Sequence, residues 1–436
     1  MAIVVQVIFA FAFLISMVLF YNNSKKIVRN IQLGKNIYRS DQKRKRWMMM
    51  LKVAFGQTKM VVKPVAALLH FIVYAGFIII NIEVLEIIID GLLGTHRILS
   101  FLGGFYNFLI GSFEILAFLV LVAVFAFLAR RLVLKLKRFS GIEMSTWPKK
   151  DAINILVIEV ILMVAFLTMN GSDLQLQKLN HPQYPIAGWF PVSQYLIFIL
   201  PTSAQALIFI ERFCWWLHIL GIFAFLNYLP FSKHLHIILA FPNTWFAKLQ
   251  PLGELNNMST VTNEVKAMLD ASFIPPPVAD NTKFGANDVQ DLNQIQLLNA
   301  YTCTECGRCT AVCPANITGK LLSPRKIMMD TRDRLAEVGK NIDKHGNDYN
   351  DGKSLLGDYI SHEEIWACTT CNACVEACPI NIDPLSIILD LRRYGVMEKS
   401  DAPNSVNNMF GNIENNGAPW KYAPADRLNW ANNTSN

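Results

Sequence analysis

Five long apolar stretches divide the first 241 residues of the chain. A helix needs about 20 apolar residues to cross the hydrocarbon core of a bilayer. The stretches that reach about this length are residues 2–21, 65–89, 109–129, 152–170 and 205–229. The pattern therefore predicts an all-α membrane domain at residues 1–241, built from five transmembrane helices.

The fifth stretch is less uniform than the other four. Pro201 precedes it, Glu211 and Arg212 interrupt it, and Pro230 follows it. Apolar residues resume at 237–241, so we expect the helix to continue past Pro230 with a kink, as helices do at proline.

Basic residues are concentrated in every other connection between the predicted spans. The first connection, residues 22–63, holds twelve of them and the third, residues 130–150, holds seven. The second and fourth connections hold little more than Arg97 and Lys178. Cytoplasmic loops are enriched in Lys and Arg, so the N-terminus is expected outside and everything after the fifth span inside. This predicts a multi-pass membrane protein with a cytoplasmic C-terminal domain. We expect the membrane to be the bacterial inner membrane.

Composition agrees with this division. Charged residues make up 17% of the chain, against about 25% in soluble proteins. The net charge of +7 does not indicate a nucleic-acid partner, because the basic clusters lie where membrane topology requires them. The apolar N-terminus has neither the basic region nor the cleavage site of a signal peptide, and we expect a retained anchor.

Eight of the nine cysteines form two identical runs of Cys-x-x-Cys-x-x-Cys-x-x-x-Cys-Pro. The members are Cys303, Cys306, Cys309, Cys313, Cys368, Cys371, Cys374 and Cys378. In this pattern three cysteines hold one [4Fe–4S] cluster and the fourth ligates the other. Cluster 1 is thus expected on Cys303, Cys306, Cys309 and Cys378, and cluster 2 on Cys368, Cys371, Cys374 and Cys313. Zinc is the alternative, but structural zinc takes only four ligands from two pairs.

The two runs belong to a predicted two-cluster domain, residues 293–398, that is ferredoxin-like and mainly α-helical. Residues 324–338 between the runs are a helix candidate, and 341–353 read as a polar loop. Ser361 and Glu364 form a capping-box signature before the second run. We expect residues 242–292 to be a linker.

Four histidines lie in or beside the spans: His70, His218, His234 and His236. A haem held by two histidines needs imidazoles from facing helices. His218 and His236 are 18 residues apart, which is five turns of a continuous helix, so the pattern predicts one shared face. His234, next to Lys233, reads as an interfacial histidine.

Two segments resemble the nitrate reductase gamma subunit, a cytochrome b that oxidises quinol. Leu68–Phe71 (LLHF) is similar to its second helix, and Trp216–His218 with Leu229–Ile237 (LPFSKHLHI) to its fifth. The resemblance implies a haem b on His70 and His236, with His70 and His218 as the alternative pair. The position that would complete a second haem is Ile80, so one haem is expected rather than two, and His218 is left for a quinone headgroup.

Nearly the whole chain resembles membrane-bound oxidoreductases related to heterodisulfide reductase, in which such a cytochrome is fused to a two-cluster domain. The tail, residues 399–436, is similar to the segment before their cysteine-rich CCG domain. No CCG sequence follows here, which implies a separate CCG-domain (HdrB/HdrD-like) partner protein that docks on the tail. An electron-transfer flavoprotein is the other expected partner.

Acidic residues inside spans are expensive and usually functional. Glu83 and Glu86 share a face at the outer end of the second span. A quinone exchanges protons with its electrons, so these two residues are candidates for a proton path, with hydrogen bonding between helices as the simpler reading.

Together these features predict a subunit of a membrane-bound quinone oxidoreductase. Electrons would pass between a cytoplasmic partner, two [4Fe–4S] clusters, haem b and the quinone pool. No catalytic residue is identifiable. A redox-driven ion-translocating component is the alternative, although no inverted repeat of the kind found in transporters is visible.

Overall fold

The computed structural model describes residues 2–139, 141–277, 283–421 and 423–432. In these residues the chain is helical, with isolated bridges but no strand. Five helices are long and apolar enough to cross a membrane: α1 (Ala2–Gln32), α3 (Pro64–Leu93), α4 (Gly104–Leu132), α5 (Trp147–Lys178) and α6 (Ala204–Tyr228). Each covers one predicted span, so the prediction of five membrane-length helices is confirmed.

The remaining helices lie in the connections and in the C-terminal part. They are α2 (Lys43–Met50), α7 (His236–Trp245), α8 (Ser259–Leu269), α9 (Gln294–Thr302), α10 (Arg308–Ala311), α11 (Pro314–Ile317), α12 (Pro324–His345), α13 (His362–Trp366), α14 (Ala373–Ala377), α15 (Pro384–Met397), α16 (Asn404–Asn416) and α17 (Asn429–Asn432). A short π-helical turn lies at Leu51–Phe55, and Leu355–Tyr359 form an irregular turn in which Leu356 and Gly357 have non-helical backbone angles. Parts of the predicted linker (278–282) and tail (422 and 433–436) lie outside the described residues.

Local chemistry explains where several helices begin and end. α3 starts with Pro64, whose fixed φ suits the first helical turn. It ends at Gly94, which has a φ of 70° and closes the helix in the left-handed conformation that glycine tolerates. Ser361 and Glu364 form the predicted capping box at the start of α13.

The C-terminal domain packs on the side of the bundle that carries both basic connections. From the first connection, Lys59 Nζ donates to Asn381 Oδ1 at 3.0 Å. From the third, Glu143 accepts from the Arg325 guanidinium at 2.7 Å, and Arg325 also donates to the carbonyl of Arg138. The two basic connections thus form much of the interface between the bundle and this domain.

α1 extends well beyond residue 21, where the predicted span ends. Its last turns contribute to the interface with the C-terminal domain. Asn30 Nδ2 donates to the hydroxyl of Tyr301 at 2.9 Å. A Cβ on Gly339 would come within 2.4 Å of the Asn30 amide, so α1 and α12 are in close contact. The first helix therefore belongs to both halves of the molecule.

One apolar core crosses the predicted domain boundary. Ile27, Leu229 and Leu235 pack in the same cluster of buried residues as the core of the C-terminal domain. The predicted boundary at residue 241 falls inside α7. Val289 and Leu292, placed in the predicted linker, are fully buried in this core. The end of that linker is therefore part of the C-terminal domain.

The prediction of a kinked but continuous fifth helix is wrong. After Tyr228 the chain makes two 3-10 turns, Leu229–Phe231 and Lys233–Leu235. Between them Ser232 is extended, with φ −116° and ψ 151°. His218 and His236 therefore do not share a helical face. α12 also runs to His345, past the predicted end at 338.

Arg334 should be a main contributor to the stability of the C-terminal domain. Its side chain is 3% exposed and pairs with Asp288 and Asp351 at 2.7 and 2.6 Å. Arg334→Ala leaves two carboxylates without this partner, so we expect about 3 kcal/mol of destabilisation, measured by denaturation in detergent. Lys353→Met, which breaks a solvent-exposed pair with Glu337, is the control and should change stability little. Equal effects of the two variants would contradict this role for Arg334.

Candidate functional site

The two cysteine runs adopt the same backbone path. In the first run Glu305 and Gly307 have φ values of 55° and 73°, and in the second Thr370 and Asn372 have 55° and 61°. A short helix follows each pair, α10 and α14, and each run then reaches its Cys-Pro step. Left-handed residues at matching positions wrap both loops tightly. The internal repeat seen in the sequence is therefore also a structural repeat.

A small cavity lies between the two loops. Four cysteines that line it are those predicted for cluster 1, Cys303, Cys306, Cys309 and Cys378. Cys374 also reaches this cavity. The structure thus brings Cys378 from the second run to the three leading cysteines of the first, as the shared-ligand prediction requires.

The predicted ligands of cluster 2 are also close enough to interact with one another. Cys313 of the first run interacts electrostatically with both Cys368 and Cys374 of the second. Cys371 in this group is exposed, whereas all four predicted ligands of cluster 1 are buried or half-buried. The two groups of thiols therefore differ in access to solvent.

The thiols suit iron–sulfur ligation chemically. Burial, with repulsion from neighbouring Cys306 and Cys378, raises the pKa of the Cys303 thiol to about 12. Such thiols ionise at neutral pH only beside a strong positive charge, which cluster iron provides. Backbone N–H groups point at sulfur, from Thr370 to Cys368 at 3.4 Å and from Ile382 to Cys378 at 3.3 Å, and such bonds tune cluster potentials. Across the described ranges, no three His, Cys, Asp or Glu side chains converge to hold a single metal ion.

His70 and His236 lie next to each other at the bundle end that meets the C-terminal domain. Their ring centres are 6.4 Å apart. Two imidazoles this close would be able to hold one metal ion between them. His236 Nδ1 lies 3.1 Å from the carbonyl of Lys233, and His70 Nδ1 lies 3.0 Å from Gln57 Oε1. Anchoring one ring nitrogen in this way leaves the other for a metal.

The other two histidines are placed differently. His218 is buried inside the bundle, where its Nδ1 lies 2.9 Å from the carbonyl of Leu162 and its ring packs on Phe166. The ring of His234 is 5.5 Å from that of His236 and 5.3 Å from Phe225. The structure therefore groups His70, His234 and His236 at one end of the bundle and keeps His218 on the α5 side.

The corner before His236 is fixed by a residue that sequence reasoning missed. Asp151, 1% exposed, accepts hydrogen bonds from the Tyr228 hydroxyl at 2.5 Å, the Ser232 hydroxyl at 2.8 Å and the Lys233 N–H at 3.1 Å. Its only signal in the sequence is an acid at the start of the fourth span. It sets the path of the residues that carry His236.

The predicted acids lie in a buried polar network at the opposite end of the bundle. Glu86 accepts from the hydroxyl of Tyr106 at 3.0 Å. Arg97, which sequence reasoning treated as a loop residue, is 5% exposed and donates to Tyr106 and Asp173. Glu83 is 3% exposed, and its Oε2 has no hydrogen-bond partner among the described residues. This end of the bundle is thus polar inside and contains one unsatisfied carboxyl oxygen.

Comparison with known proteins supports the metal chemistry. Residues 302–382 match the family model of the 4Fe-4S dicluster domain. Over 412 residues the chain is 32% identical to the probable iron-sulfur-binding oxidoreductase FadF of Bacillus subtilis, covering 86% of this chain and 53% of that protein. It is 28% identical over 425 residues to the EtfAB:quinone oxidoreductase of Syntrophomonas wolfei, covering 90% and 55%.

A third relative matches the cysteine-rich region. It is the HdrC-type component of a CoB-CoM heterodisulfide reductase of Methanosarcina acetivorans, 36% identical over 102 residues that cover 23% of this chain and 49% of the relative. The chain is thus a relative of membrane-associated, HdrC-like iron–sulfur oxidoreductases. It spans about half the length of the curated relatives it matches most fully. No solved structure matches it significantly.

The shared ligands can be tested by substitution. Because Cys378 lines the cavity with Cys303, Cys378→Ser and Cys303→Ser should alter the same cluster signal in electron paramagnetic resonance (EPR). Cys313→Ser should alter the other. Iron should fall from about eight towards about four atoms per chain in each variant. Cys214→Ser, in α6, is the control and should keep both signals. A shared phenotype of Cys378→Ser and Cys368→Ser would contradict the assignment.

Proposed function

We propose that this chain is an electron-transfer subunit of a membrane-bound quinone oxidoreductase. It would connect a cytoplasmic redox partner, two [4Fe–4S] clusters, one haem b and the quinone pool. The observation that carries the proposal is the pairing of His70 and His236, with ring centres 6.4 Å apart, beside the first cysteine loop. Arg308 of that loop is close enough to His70 to interact with it electrostatically.

The placement of the cysteines supports an order for the carriers. Cluster 2 has an exposed ligand, Cys371, so it is the proposed point of contact with a soluble partner. Cluster 1 would be closer to the membrane domain, because Arg308 of the first run donates to the carbonyl of Lys59 and Lys59 donates to Asn381, three residues after Cys378. Electrons would then pass between cluster 2, cluster 1 and the haem, in either direction.

The relatives indicate which partners to test. One is named as an EtfAB:quinone oxidoreductase and another as part of a heterodisulfide reductase. We therefore propose an electron-transfer flavoprotein or a CCG-domain protein. On the tail, α16 exposes Phe410 and Ile413, and Trp420 follows, which supports docking there.

The end of the bundle that the C-terminal domain contacts supports the proposed orientation of the chain in the membrane. The C-terminal domain contacts both basic connections, and basic loops are typically cytoplasmic. We therefore place the clusters in the cytoplasm and the Glu83 network at the outer face of a bacterial inner membrane.

Loss of haem in selected variants tests the ligand pair. His70→Ala and His236→Ala should each abolish the reduced-minus-oxidised haem b spectrum of the purified protein, because each removes one of the two residues that would hold the haem. The protein's iron–sulfur signals should remain.

His218→Ala is the matched control and should retain the haem spectrum, because its ring contacts α5. Full haem in His236→Ala together with loss in His218→Ala would overturn the pair and favour His70 with His218. Wild-type protein without haem would remove the quinone pathway as proposed.

For the quinone, we propose that Glu83 and Glu86 exchange its protons and that His218 lies near its headgroup. The unpaired Oε2 of Glu83 supports this role, because a buried carboxyl oxygen without a donor is free to bind a proton. Glu83→Gln should slow haem reduction by quinol about 10²-fold, a typical general-base contribution, and leave the haem spectrum intact. Glu159→Gln, another intramembrane acid, should be near wild type. Equal rates in all three proteins would contradict the role of Glu83.

A further inference from the structure

A buried ion pair joins the two segments that carry the proposed electron carriers. Lys233 lies three residues before His236, and Glu305 lies between Cys303 and Cys306. The Lys233 ammonium contacts the Glu305 carboxylate directly, with side-chain exposures of 7% and 2%. Arg332 donates to the other carboxylate oxygen of Glu305 at 2.7 Å. We call these three side chains the Lys233 bridge.

The charges in the bridge are well satisfied. Lys233 Nζ also donates to the carbonyl of Pro148 at 2.6 Å and lies 3.9 Å from Asp151 Oδ2. Even so, a buried ion pair offers little net stability over apolar side chains of similar size, because both ions lose their hydration. The presence of such a pair points to a need for defined geometry, which a salt bridge with fixed hydrogen bonds provides.

The internal repeat shows that the cysteine loop itself does not need Glu305. At the equivalent position the second run has Thr370, with the same φ of 55°. Thr370 makes a backbone contact to Cys368 and carries no charge. The carboxylate is therefore specific to the first run, whose loop faces the membrane domain.

Lys233 contacts both His236 and the first cysteine run, through different groups. Its carbonyl oxygen lies 3.1 Å from His236 Nδ1 and so orients that ring. Its ammonium group holds the residue between two cysteines of the first run. A single residue thus connects the ring of His236 with the loop of Cys303 and Cys306.

We propose that the Lys233 bridge is a positioning device that fixes cluster 1 relative to the haem and so sets the rate of electron transfer between them. This rests on the proposed function, since it assumes a haem on His236. Lys233, Glu305 and Arg332 are positioning residues, because they act through the cysteine loop and the histidine. The step under test moves a single electron, with oxidation of the reduced cluster and reduction of the ferric haem.

Two variants that remove charges of opposite sign distinguish an effect of the bridge on the position of cluster 1 from an effect on its reduction potential. Lys233→Met removes a positive charge near cluster 1, which should lower its reduction potential, and Glu305→Gln removes a negative charge, which should raise it. If the bridge acts by position, both variants slow cluster-to-haem transfer, by about tenfold or more, since small misplacements of reacting groups have large effects on rate. The double variant should be no slower than the slower single variant, because both break one interaction. The rates are measured by rapid-mixing spectroscopy and the reduction potentials by redox titration, both on full-chain protein in detergent.

The matched control is Lys26→Met, which breaks an exposed pair with Asp343 at the same interface and should leave the rate unchanged. Rates that rise in one variant and fall in the other would follow the potentials and overturn the proposal, as would unchanged rates in Glu305→Gln. That nearly isosteric variant keeps the test valid if Lys233→Met fails to fold.

Two measurements do not depend on the haem. In Glu305→Gln, hydrogen–deuterium exchange of residues 229–237 should increase and the EPR spectrum of cluster 1 should change. If wild-type protein lacks haem, the haem assignment fails, while these measurements still decide whether the bridge holds the corner and the loop together. No change in either measurement would count against the bridge.

Discussion

The buried carboxylate of Asp151 fixes the corner on which the rest of the candidate site depends. It is 1% exposed and accepts from Tyr228, Ser232 and Lys233. A buried carboxylate is stable only when its oxygens are satisfied, so these donors are held in one arrangement. The Lys233 carbonyl then faces His236, and the Lys233 ammonium faces Glu305. The geometry on both sides of the boundary therefore follows from one carboxylate in α5.

The packing of the helical bundle against the C-terminal domain also constrains the candidate site. In lipid, backbone polar groups must be satisfied within the segment, so a bundle of whole helices is required. The C-terminal domain has no such restriction, and its helices range from 4 to 22 residues, joined by loops. Interfaces between domains of one chain are usually modest and polar, and they permit motion. Here Ile27, Leu229 and Leu235 join the apolar core of the other half, which favours a fixed arrangement of the paired histidines relative to the cysteine loops.

Features with a local signal were predictable from the sequence, and those that depend on distant partners were not. Apolar length identified five helices, and cysteine spacing identified loops whose repeat is visible in the φ values of Glu305 and Thr370. The break at Ser232 was missed because one proline is compatible with either a kink or a new helix. Asp151 and Arg97 were missed because they each have a partner more than 70 residues away, Tyr228 for Asp151 and Asp173 for Arg97, and a single charged residue beside a span has no distinctive pattern.

The two ends of the bundle differ in a way that bears on mechanism. The end next to the cysteines contains the paired histidines, whereas the far end contains Arg97, Asp173 and the unpaired carboxyl of Glu83. Electron carriers need rigid placement, but a proton acceptor needs an unsatisfied oxygen in contact with a route to water. Under the proposed function the rigid placement and the unsatisfied oxygen are found at opposite ends of the bundle. Quinone chemistry at the far end would then exchange its protons on the side away from the clusters, so the direction of electron flow would determine the direction of charge movement.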